Sequence, residues 1–321
     1  MTPRTDRAAR PPAPPAGADA QPADAPSRLD DDDLRRLLLI RHVERALLDL
    51  FAAGAVAGTT HTCLGQEYVP VALRPLLADD DFVLSNHRGH GHYLARFDDP
   101  HSLLAEILGR EGGVCNGVGG SQHLLRGRYL SSGVQGQSLP VAVGTALHLK
   151  RTGRNLLSCV FVGDGTWGEG AVYEALNMAA LWGLPLLVVV ENNGIAQSTP
   201  TAAHLAGSIG DRARAFGLTH LRTASDDVNR LRALLAPLTA AVRSGQPSVV
   251  EIVTRRLGPH SKGDDIRDPA TLRELSRRDW YHRYAAAHPE QFAALDAAQR
   301  AHVEAVVREV EGRPLASGAP A

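Results

Sequence analysis

The chain has 321 residues, with 34 Lys and Arg against 35 Asp and Glu and a formal net charge of −1. A charge this balanced argues against binding to nucleic acid or to a membrane surface, since both rely on a basic surplus. No stretch reaches the roughly 20 apolar residues that span a bilayer. Three cysteines, Cys63, Cys115 and Cys159, are too few and too scattered for a disulfide framework or a four-cysteine zinc site. We therefore expect a globular protein of the reducing cytoplasm.

The two ends of the chain differ in composition from the rest. Residues 1–28 are rich in Pro, Ala and Arg and contain no apolar run. Such a composition cannot support a packed core, so we predict a disordered tail there. The acidic residues inside it argue against a transit peptide, and the missing apolar segment argues against a secretory signal. One folded domain is predicted over residues 29–313, followed by a loose C-terminus over 314–321.

The pattern of apolar residues predicts an α/β fold. The aspartate run at 30–33 favours a helix N-terminus, and apolar residues then recur at helical spacing up to Phe51, with Gly54 as the stop. From residue 79 onward, short apolar strands alternate with helices, as is typical of a doubly wound, mostly parallel sheet flanked by helices. Helical extensions are expected at both ends of this domain. The predicted strands cover residues 82–85, 156–162, 186–191, 219–223 and 248–254, and the predicted helices cover 168–182, 208–216, 228–243 and parts of 271–311.

Polar residues follow two of the predicted strands. Asp164, between two glycines, follows the strand at 156–162, and Asn193 follows the strand at 186–191. The intervening helix runs back about 22 Å and the strand runs forward about 20 Å, so both residues return to one edge of the sheet. A carboxylate, an amide oxygen and a nearby carbonyl suit Mg²⁺, which takes its other ligands from phosphate and water. By spacing alone, both motifs could equally be ordinary turns.

Further motifs make a family resemblance specific. Gly163-Asp164-Gly165, followed after 26 residues by Asn192-Asn193, is similar to the fingerprint of thiamine-diphosphate enzymes. Other segments extend the likeness over about residues 34–290, and together they resemble the α subunit of the E1 component of 2-oxo acid dehydrogenase complexes, of the pyruvate, branched-chain and acetoin types. These segments are Ser85-Asn-His-Arg-Gly-His-Gly-His-Tyr-Leu94, Gly119-Gly-Ser-Gln-His123, Glu169-Gly170 with Asn177-Met-Ala-Ala180, and Leu257-Gly-Pro-His-Ser261.

The resemblance implies a set of metal and diphosphate contacts. Mg²⁺ is expected on the side chains of Asp164 and Asn193 and on the main-chain carbonyl of Ile195. Gly165 and the backbone N–H of Thr166 are expected to contact the diphosphate of thiamine diphosphate. Because the ligand expected at Ile195 is a main-chain carbonyl, it does not depend on which side chain stands at that position.

Five further residues complete the implied site. Arg88 matches the family arginine that grips the diphosphate, a role that suits the two parallel donors of a guanidinium. A surface ion pair is the alternative for an arginine taken alone. His87 stands where some relatives have Tyr, and the backbone around Gly133 and Gln135 is expected to meet the aminopyrimidine ring. His260 is expected to bind the diphosphate and to assist reaction with a lipoyl group, whereas an exposed loop histidine is the alternative.

The resemblance also implies a reaction and partners. A 2-oxo acid would be decarboxylated, or an acyloin such as acetoin cleaved, and the acyl unit would pass to a lipoyl group on an E2 acyltransferase. The β subunit of this family supplies the glutamate that activates the cofactor, so we expect an α2β2 heterotetramer and no activity from this chain alone. Two alternatives stay open: the diphosphate-binding half of a split transketolase-like ketol transferase, and a non-catalytic paralogue that acts as a scaffold.

Three positions depart from the family pattern and bear on substrate choice. Gln122 replaces the usual Met, the segment that begins at Leu257 is similar to bacterial and branched-chain members, and Ile195 lacks the aromatic ring often found there. None of these removes a metal or phosphate ligand. Ser261 occupies a position that is phosphorylated in some animal relatives, but nothing in the sequence indicates such regulation.

Overall fold

The computed structural model describes residues 25–56, 58–261 and 265–318. Within these ranges there are nine strands, twelve α-helices and two short 3-10 helices, Arg74–Leu76 and Asp164–Gly168. The strands are β1 (Phe82–Ser85), β2 (Leu125–Arg126), β3 (Tyr129–Ser131), β4 (Ser158–Gly163), β5 (Leu186–Asn192), β6 (Ile195–Ala196), β7 (Thr199–Pro200), β8 (Thr219–Thr223) and β9 (Ser248–Val253). The helices are α1 (Asp31–Ala52), α2 (Tyr68–Leu73), α3 (His90–Phe97), α4 (Pro100–Ile107), α5 (Ser138–Arg151), α6 (Gly170–Leu181), α7 (Thr201–His204), α8 (Ile209–Ala215), α9 (Val228–Arg243), α10 (Pro269–Arg277), α11 (Trp280–Ala287) and α12 (Pro289–Glu311).

Seven strands form one sheet in the order β2-β3-β1-β4-β5-β9-β8. Every neighbouring pair is parallel except β2 and β3, which pair antiparallel at one edge. Strands β6 and β7 form a separate two-stranded ribbon. The predicted doubly wound, mostly parallel α/β fold is therefore confirmed, with a small antiparallel edge added to it.

Alternate side chains of the central strands enter two separate cores. On β4, Cys159 and Phe161 join the core built with α1, α2, α9 and α12, whereas Val160 and Val162 join the core built with α5, α6 and α8. Since both faces are covered, the strand is apolar at four successive positions, Cys159 to Val162, rather than at every second one. Full burial of each large apolar side chain stabilises the fold by about 1.5–3 kcal/mol.

The N-terminal helix begins and ends where the sequence predicts. Asp30 caps α1 by accepting a hydrogen bond from the Asp33 backbone N–H at 2.7 Å. The helix ends at Ala52, and Gly54 then adopts a φ of +77°, a left-handed conformation that glycine takes without strain. Helix α1 lies along α12, so the two predicted helical extensions pack against each other, and their apolar residues belong to the same core as one face of the sheet.

Some predicted boundaries are wrong by a few residues. The helix predicted at 168–182 starts at Gly170, because Glu169 is extended with φ −85° and ψ 135°, and the 3-10 helix Asp164–Gly168 precedes it. Helix α3 was not predicted, because it lies in a segment rich in glycine and histidine that has no helical periodicity of apolar residues. Its Tyr93 and Leu94 are fully buried, so tertiary packing stabilises it.

Part of each predicted loose end is docked on the domain. Ser27 donates hydrogen bonds from its N–H and its hydroxyl to the Asp227 carboxylate, at 2.6 and 2.8 Å. At the other end, Leu315 forms a β-bridge with Arg110, and the Ala316 N–H donates to a backbone carbonyl at 2.9 Å. Composition could not show these contacts, since each depends on one distant partner. The rest of both predicted ends, residues 1–24 and 319–321, lies outside the described residues.

Candidate cofactor site

A cavity of about 320 Å³ lies at the carboxyl ends of the parallel strands. Residues that follow β1, β3, β4, β5 and β9 line it, as expected for a ligand site in a sheet of this kind. The predicted site residues all lie on its wall: His87, Arg88, Gly133, Gln135, Asp164, Gly165, Thr166, Asn193, Ile195 and His260. The structure thus brings together segments that are far apart in the chain.

Asp164 and Asn193 are adjacent in this cavity. The Asp164 side chain is 2% exposed and accepts hydrogen bonds from the Thr201 hydroxyl and from the Asn193 backbone N–H. Burial raises the pKa of its carboxyl group. Among the described residues, no Lys or Arg forms an ion pair with this carboxylate. A buried acid with no Lys or Arg partner among the described residues, beside an amide oxygen, fits a divalent cation.

The described residues contain no cluster of three or more His, Cys, Asp or Glu side chains that could hold a metal. The predicted set has only one acidic side chain, together with an amide oxygen and the carbonyl of Ile195. Such a set leaves most of the coordination sphere to phosphate and water, which is the usual arrangement for Mg²⁺.

Arg88 is a buried cation that forms no ion pair with a described carboxylate. Its Nη1 donates to the Thr62 carbonyl oxygen at 2.6 Å, and its Nη2 donates to His260 Nδ1 at 3.3 Å. The side chain is 4% exposed, and burial together with the nearby Arg256 lowers its pKa to about 10. The alternative of a surface ion pair is therefore wrong. A buried guanidinium of this kind is suited to an anionic ligand.

A chain of hydrogen bonds links three of the predicted residues. Thr166 Oγ1 donates to Gln135 Oε1 at 2.8 Å, and Gln135 Nε2 lies 2.7 Å from His87 Nδ1. Burial, with the neighbouring Arg88 and two histidines, holds the pKa of His87 well below its usual value. The loops after β1, β3 and β4 are therefore joined by side chains across the cavity wall.

Two glycines are required by close contacts. A Cβ at Gly165 would lie 2.7 Å from the Cβ of Ala196, and a Cβ at Gly133 would lie 2.1 Å from Gln122 Oε1. Gly165 thus allows the ribbon strand β6, which carries Ile195, to approach the end of β4. This close approach brings the proposed metal-binding segments together.

Sequence reasoning missed several residues of the cavity wall. His61 lies with its ring centroid 4.7 Å from that of His260 and 4.8 Å from that of His87. Gln66 and Glu191 also line the cavity. Only Glu191 carried a signal in the sequence, since it is a charged residue at the end of an apolar strand beside the Asn192-Asn193 pair. The other two lie in a polar loop with no distinctive pattern.

His90 and His92 are buried behind the site. His90 Nδ1 lies 3.2 Å from a carboxylate oxygen of Glu44, and its Nε2 donates to the Ser121 carbonyl oxygen at 3.0 Å. His92 lies between Ser85 and Glu191, at 2.6 and 3.3 Å. These contacts support the cavity wall from behind, and neither histidine ring lines the cavity itself.

The fold and the cavity together define a class of protein. It is an α/β protein with a ligand site at the carboxyl ends of parallel strands, where neither the buried Asp164 nor the buried Arg88 forms an ion pair with a described side chain. The chain matches the model of the dehydrogenase E1 component family over residues 35–310, and it belongs to that family. The resemblance found in its motifs is thereby confirmed.

Curated relatives agree with this assignment. The chain is 36% identical over 235 residues to the α subunit of acetoin:2,6-dichlorophenolindophenol oxidoreductase of Bacillus subtilis, covering 72% of this chain and 71% of that protein. It is also 36% identical to the pyruvate dehydrogenase E1 component subunit alpha of Zymomonas mobilis, covering 73% and 68% of the two chains. The corresponding subunit of Rhizobium meliloti is 34% identical, with coverage of 74% and 70%. In the described part of the chain, no helix is both long and apolar enough to cross a membrane.

Proposed function

We propose that this chain is the α subunit of a thiamine diphosphate- and Mg²⁺-dependent E1 that decarboxylates a 2-oxo acid or cleaves an acyloin. The observation that carries the proposal is the pair of buried, opposite charges on Asp164 and Arg88 in one cavity of an E1 family member. Each charge would be costly in a closed cavity without a counter-ion. A divalent cation bound to a diphosphate supplies a counter-ion to both.

Each residue has a role that its position supports. Asp164, the Asn193 amide oxygen and the Ile195 carbonyl would hold Mg²⁺. Arg88 and the backbone at Gly165 would bind the diphosphate, together with the N–H of Thr166 and the ring of His260. Their joint effect is to anchor one end of the cofactor and so orient its reactive ring.

Other residues would bind or orient the groups that take part in the reaction. When bound, thiamine diphosphate supplies a ring that accepts the electrons released as CO₂ leaves a 2-oxo acid. His260 Nδ1 accepts from Arg88, so a neutral ring holds its proton on Nε2, from which it would donate a hydrogen bond to the diphosphate or to a reacting group. Gly133 and Gln135 would lie against the aminopyrimidine, and Gln135 is tied to His87.

We further propose a β subunit as an obligate partner in an α2β2 heterotetramer. The Bacillus subtilis and Zymomonas mobilis relatives are both named as α subunits, which supports a second kind of chain. That chain would supply the activating glutamate, and a lipoyl group on an E2 acyltransferase would receive the acyl unit. A cytoplasmic location stays a prediction from the sequence.

Calorimetry tests the site. Titrating thiamine diphosphate into the chain with Mg²⁺, and again with the metal removed by EDTA, should show binding that requires the metal. Asp164→Ala should abolish the Mg²⁺-dependent part. Unchanged cofactor affinity in this variant would overturn the site assignment, and no binding by the parent chain would favour a non-catalytic scaffold.

Turnover assays test the reaction and the partner. The chain with its β subunit should decarboxylate 2-oxo acids or cleave acetoin, and the chain alone should not. Robust turnover by the chain alone would contradict the need for a partner. Activity on sugar phosphates in place of 2-oxo acids would favour a split ketol transferase, an alternative that the family match does not support.

A further inference from the structure

Gln66 is a buried residue of the cavity wall with no part in the functions proposed above. It is 1% exposed and lies on the loop between α1 and α2. Its Oε1 accepts a hydrogen bond from Asn193 Nδ2 at 3.4 Å. The amide of one side chain therefore faces the amide of another, and the second belongs to the proposed metal site.

The backbone determines which way both amides point. The Ile195 N–H lies 3.2 Å from the Asn193 side-chain amide, and a backbone N–H can only donate, so the atom that faces it is Oδ1. The Asn193 nitrogen is then the atom that faces Gln66, and Gln66 must meet it with its oxygen. Only one orientation of each amide satisfies both hydrogen bonds. The Asn193 oxygen keeps a second lone pair, which is available to a cation.

Gln66 is itself held firmly in place. Its backbone N–H donates to the Cys63 carbonyl at 2.8 Å. The next residue, Glu67, is fully buried and accepts hydrogen bonds from Arg41 Nε at 2.6 Å and from Trp280 Nε1 at 2.8 Å. A buried ion pair already fixes this loop, so the loop loses little further freedom when it supports a ligand. Gln66 is therefore held beside the neighbouring amide before any ligand binds.

We propose that Gln66 is a positioning residue that keeps the Asn193 amide oxygen, rather than its NH₂ group, turned toward the bound cation. The inference rests on the proposed function, since it needs Asn193 as a metal ligand. Without the Gln66 acceptor, the Asn193 amide could rotate and present N–H donors that repel a cation. Loss of such a supporting hydrogen bond weakens metal binding by about 10- to 100-fold in other sites.

The test measures Mg²⁺ affinity by calorimetry at saturating thiamine diphosphate, with the full chain in complex with its β subunit. Gln66→Met keeps the length of the side chain but removes the acceptor, and we expect Mg²⁺ affinity to fall about tenfold or more. Gln66→Glu keeps an acceptor for Asn193 Nδ2 and should retain the affinity. Gln299→Met is the matched control and should keep the affinity of the parent, because Gln299 is also a buried glutamine but lies on α12, outside the cavity.

A double-mutant cycle separates positioning from a general structural effect. Both ends of a carboxylate are oxygen, so in the Asn193→Asp background the rotation has no consequence and Gln66→Met should change Mg²⁺ affinity by less than about threefold. Equal Mg²⁺ affinities of Gln66→Met and the parent would overturn the inference. So would an equal loss in both backgrounds, or a loss in Gln66→Glu as large as in Gln66→Met. Failure of the parent itself to bind Mg²⁺ and thiamine diphosphate would instead refute the proposed function.

Discussion

Gln135 Nε2 donates a hydrogen bond to His87 Nδ1 over 2.7 Å. The direction follows from the same amide group, since Gln135 Nε2 also donates to the Gly133 carbonyl oxygen at 3.4 Å, while Oε1 accepts from the Thr166 hydroxyl at 2.8 Å. His87 Nδ1 is therefore an acceptor, and the neutral ring carries its proton on Nε2. A residue that stands in place of the family's Tyr thus still presents a hydrogen-bond donor.

His87 should make the chain less stable in mild acid. Its pKa is held well below the usual value in the folded chain, so below about pH 6.5 the unfolded chain binds more protons at this residue. Folding stability should therefore fall as the pH drops from 7.5 to 5.5. In His87→Gln the free energy of unfolding should decrease less steeply as the pH drops. The two slopes should differ by about 1 kcal/mol per pH unit at most. Urea unfolding at several pH values measures the difference.

The exposed His282 provides the control for this experiment. His282→Gln should leave the pH dependence of unfolding as in the parent. Side-chain ¹H–¹⁵N NMR gives an independent check, because His87 should show the Nε2–H tautomer at neutral pH. A parallel pH dependence in His87→Gln and the parent, or a charged His87 ring at pH 7, would contradict the prediction.

Arg88 should contribute to diphosphate binding through both charge and shape. Arg88→Met removes the guanidinium, and we expect thiamine diphosphate affinity to fall about 10- to 100-fold, the equivalent of one or two charged hydrogen bonds. Arg88→Lys keeps the charge but loses the forked donors, so its affinity should lie between those of Arg88→Met and the parent. Calorimetry with Mg²⁺ present measures both. Thiamine without phosphates is the control ligand, and an equal loss of its affinity would show that Arg88 does not act on the diphosphate.

Gly165 should be intolerant of a methyl group. In Gly165→Ala the new Cβ would lie 2.7 Å from the Cβ of Ala196, so β6 must move away from the end of β4. Because β6 carries Ile195, we expect a clear loss of Mg²⁺-dependent cofactor binding. Gly163→Ala is the matched control, since a Cβ there meets nothing within 4 Å. Similar cofactor affinities in the two variants would argue against a close approach at Gly165.

Glu106 should stabilise the loop before β2. Its carboxylate, 1% exposed, accepts hydrogen bonds from backbone N–H groups of four loop residues. These are Cys115 at 2.6 Å, Gly117 at 3.0 Å, Gly119 at 2.7 Å and Gly120 at 3.2 Å. In Glu106→Gln one oxygen becomes an NH₂ group that faces two of these donors. We expect the free energy of unfolding in urea to fall by about 2–4 kcal/mol.

Glu111→Gln makes the matched exchange at an exposed residue nearby and should change the free energy of unfolding by less than about 0.5 kcal/mol. If Glu106→Gln were as stable as Glu111→Gln, the carboxylate would not organise the loop. The loop carries Ser121 and Gln122, and the latter lines the cavity. A loss of cofactor affinity in Glu106→Gln beyond its loss of stability would show that the loop also shapes the site.

Much of the fold follows from local patterns. The buried strands β4 and β5 are apolar at nearly every position, and strands of this kind need a sheet that is covered on both faces. The strand predicted at 219–223 has the same bounds as β8, and the helix predicted at 228–243 has the same bounds as α9. Helices α3 and α5 were not predicted, because glycine, histidine and small residues obscure their periodicity.

The sequence by itself predicted the α/β class from residue type and spacing along the chain, and the resemblance of its motifs to a known family predicted the family and the ten site residues. Only the tertiary structure decided that Gln66 contacts Asn193, that Arg41 binds Asp279 at the far end of the chain, and that residues 26–28 and 314–318 dock on the domain. Each of these depends on a hydrogen bond between residues that are distant in sequence. A hydrogen bond requires its donor and acceptor to lie within about 3 Å of each other, and local patterns carry no information about such distances.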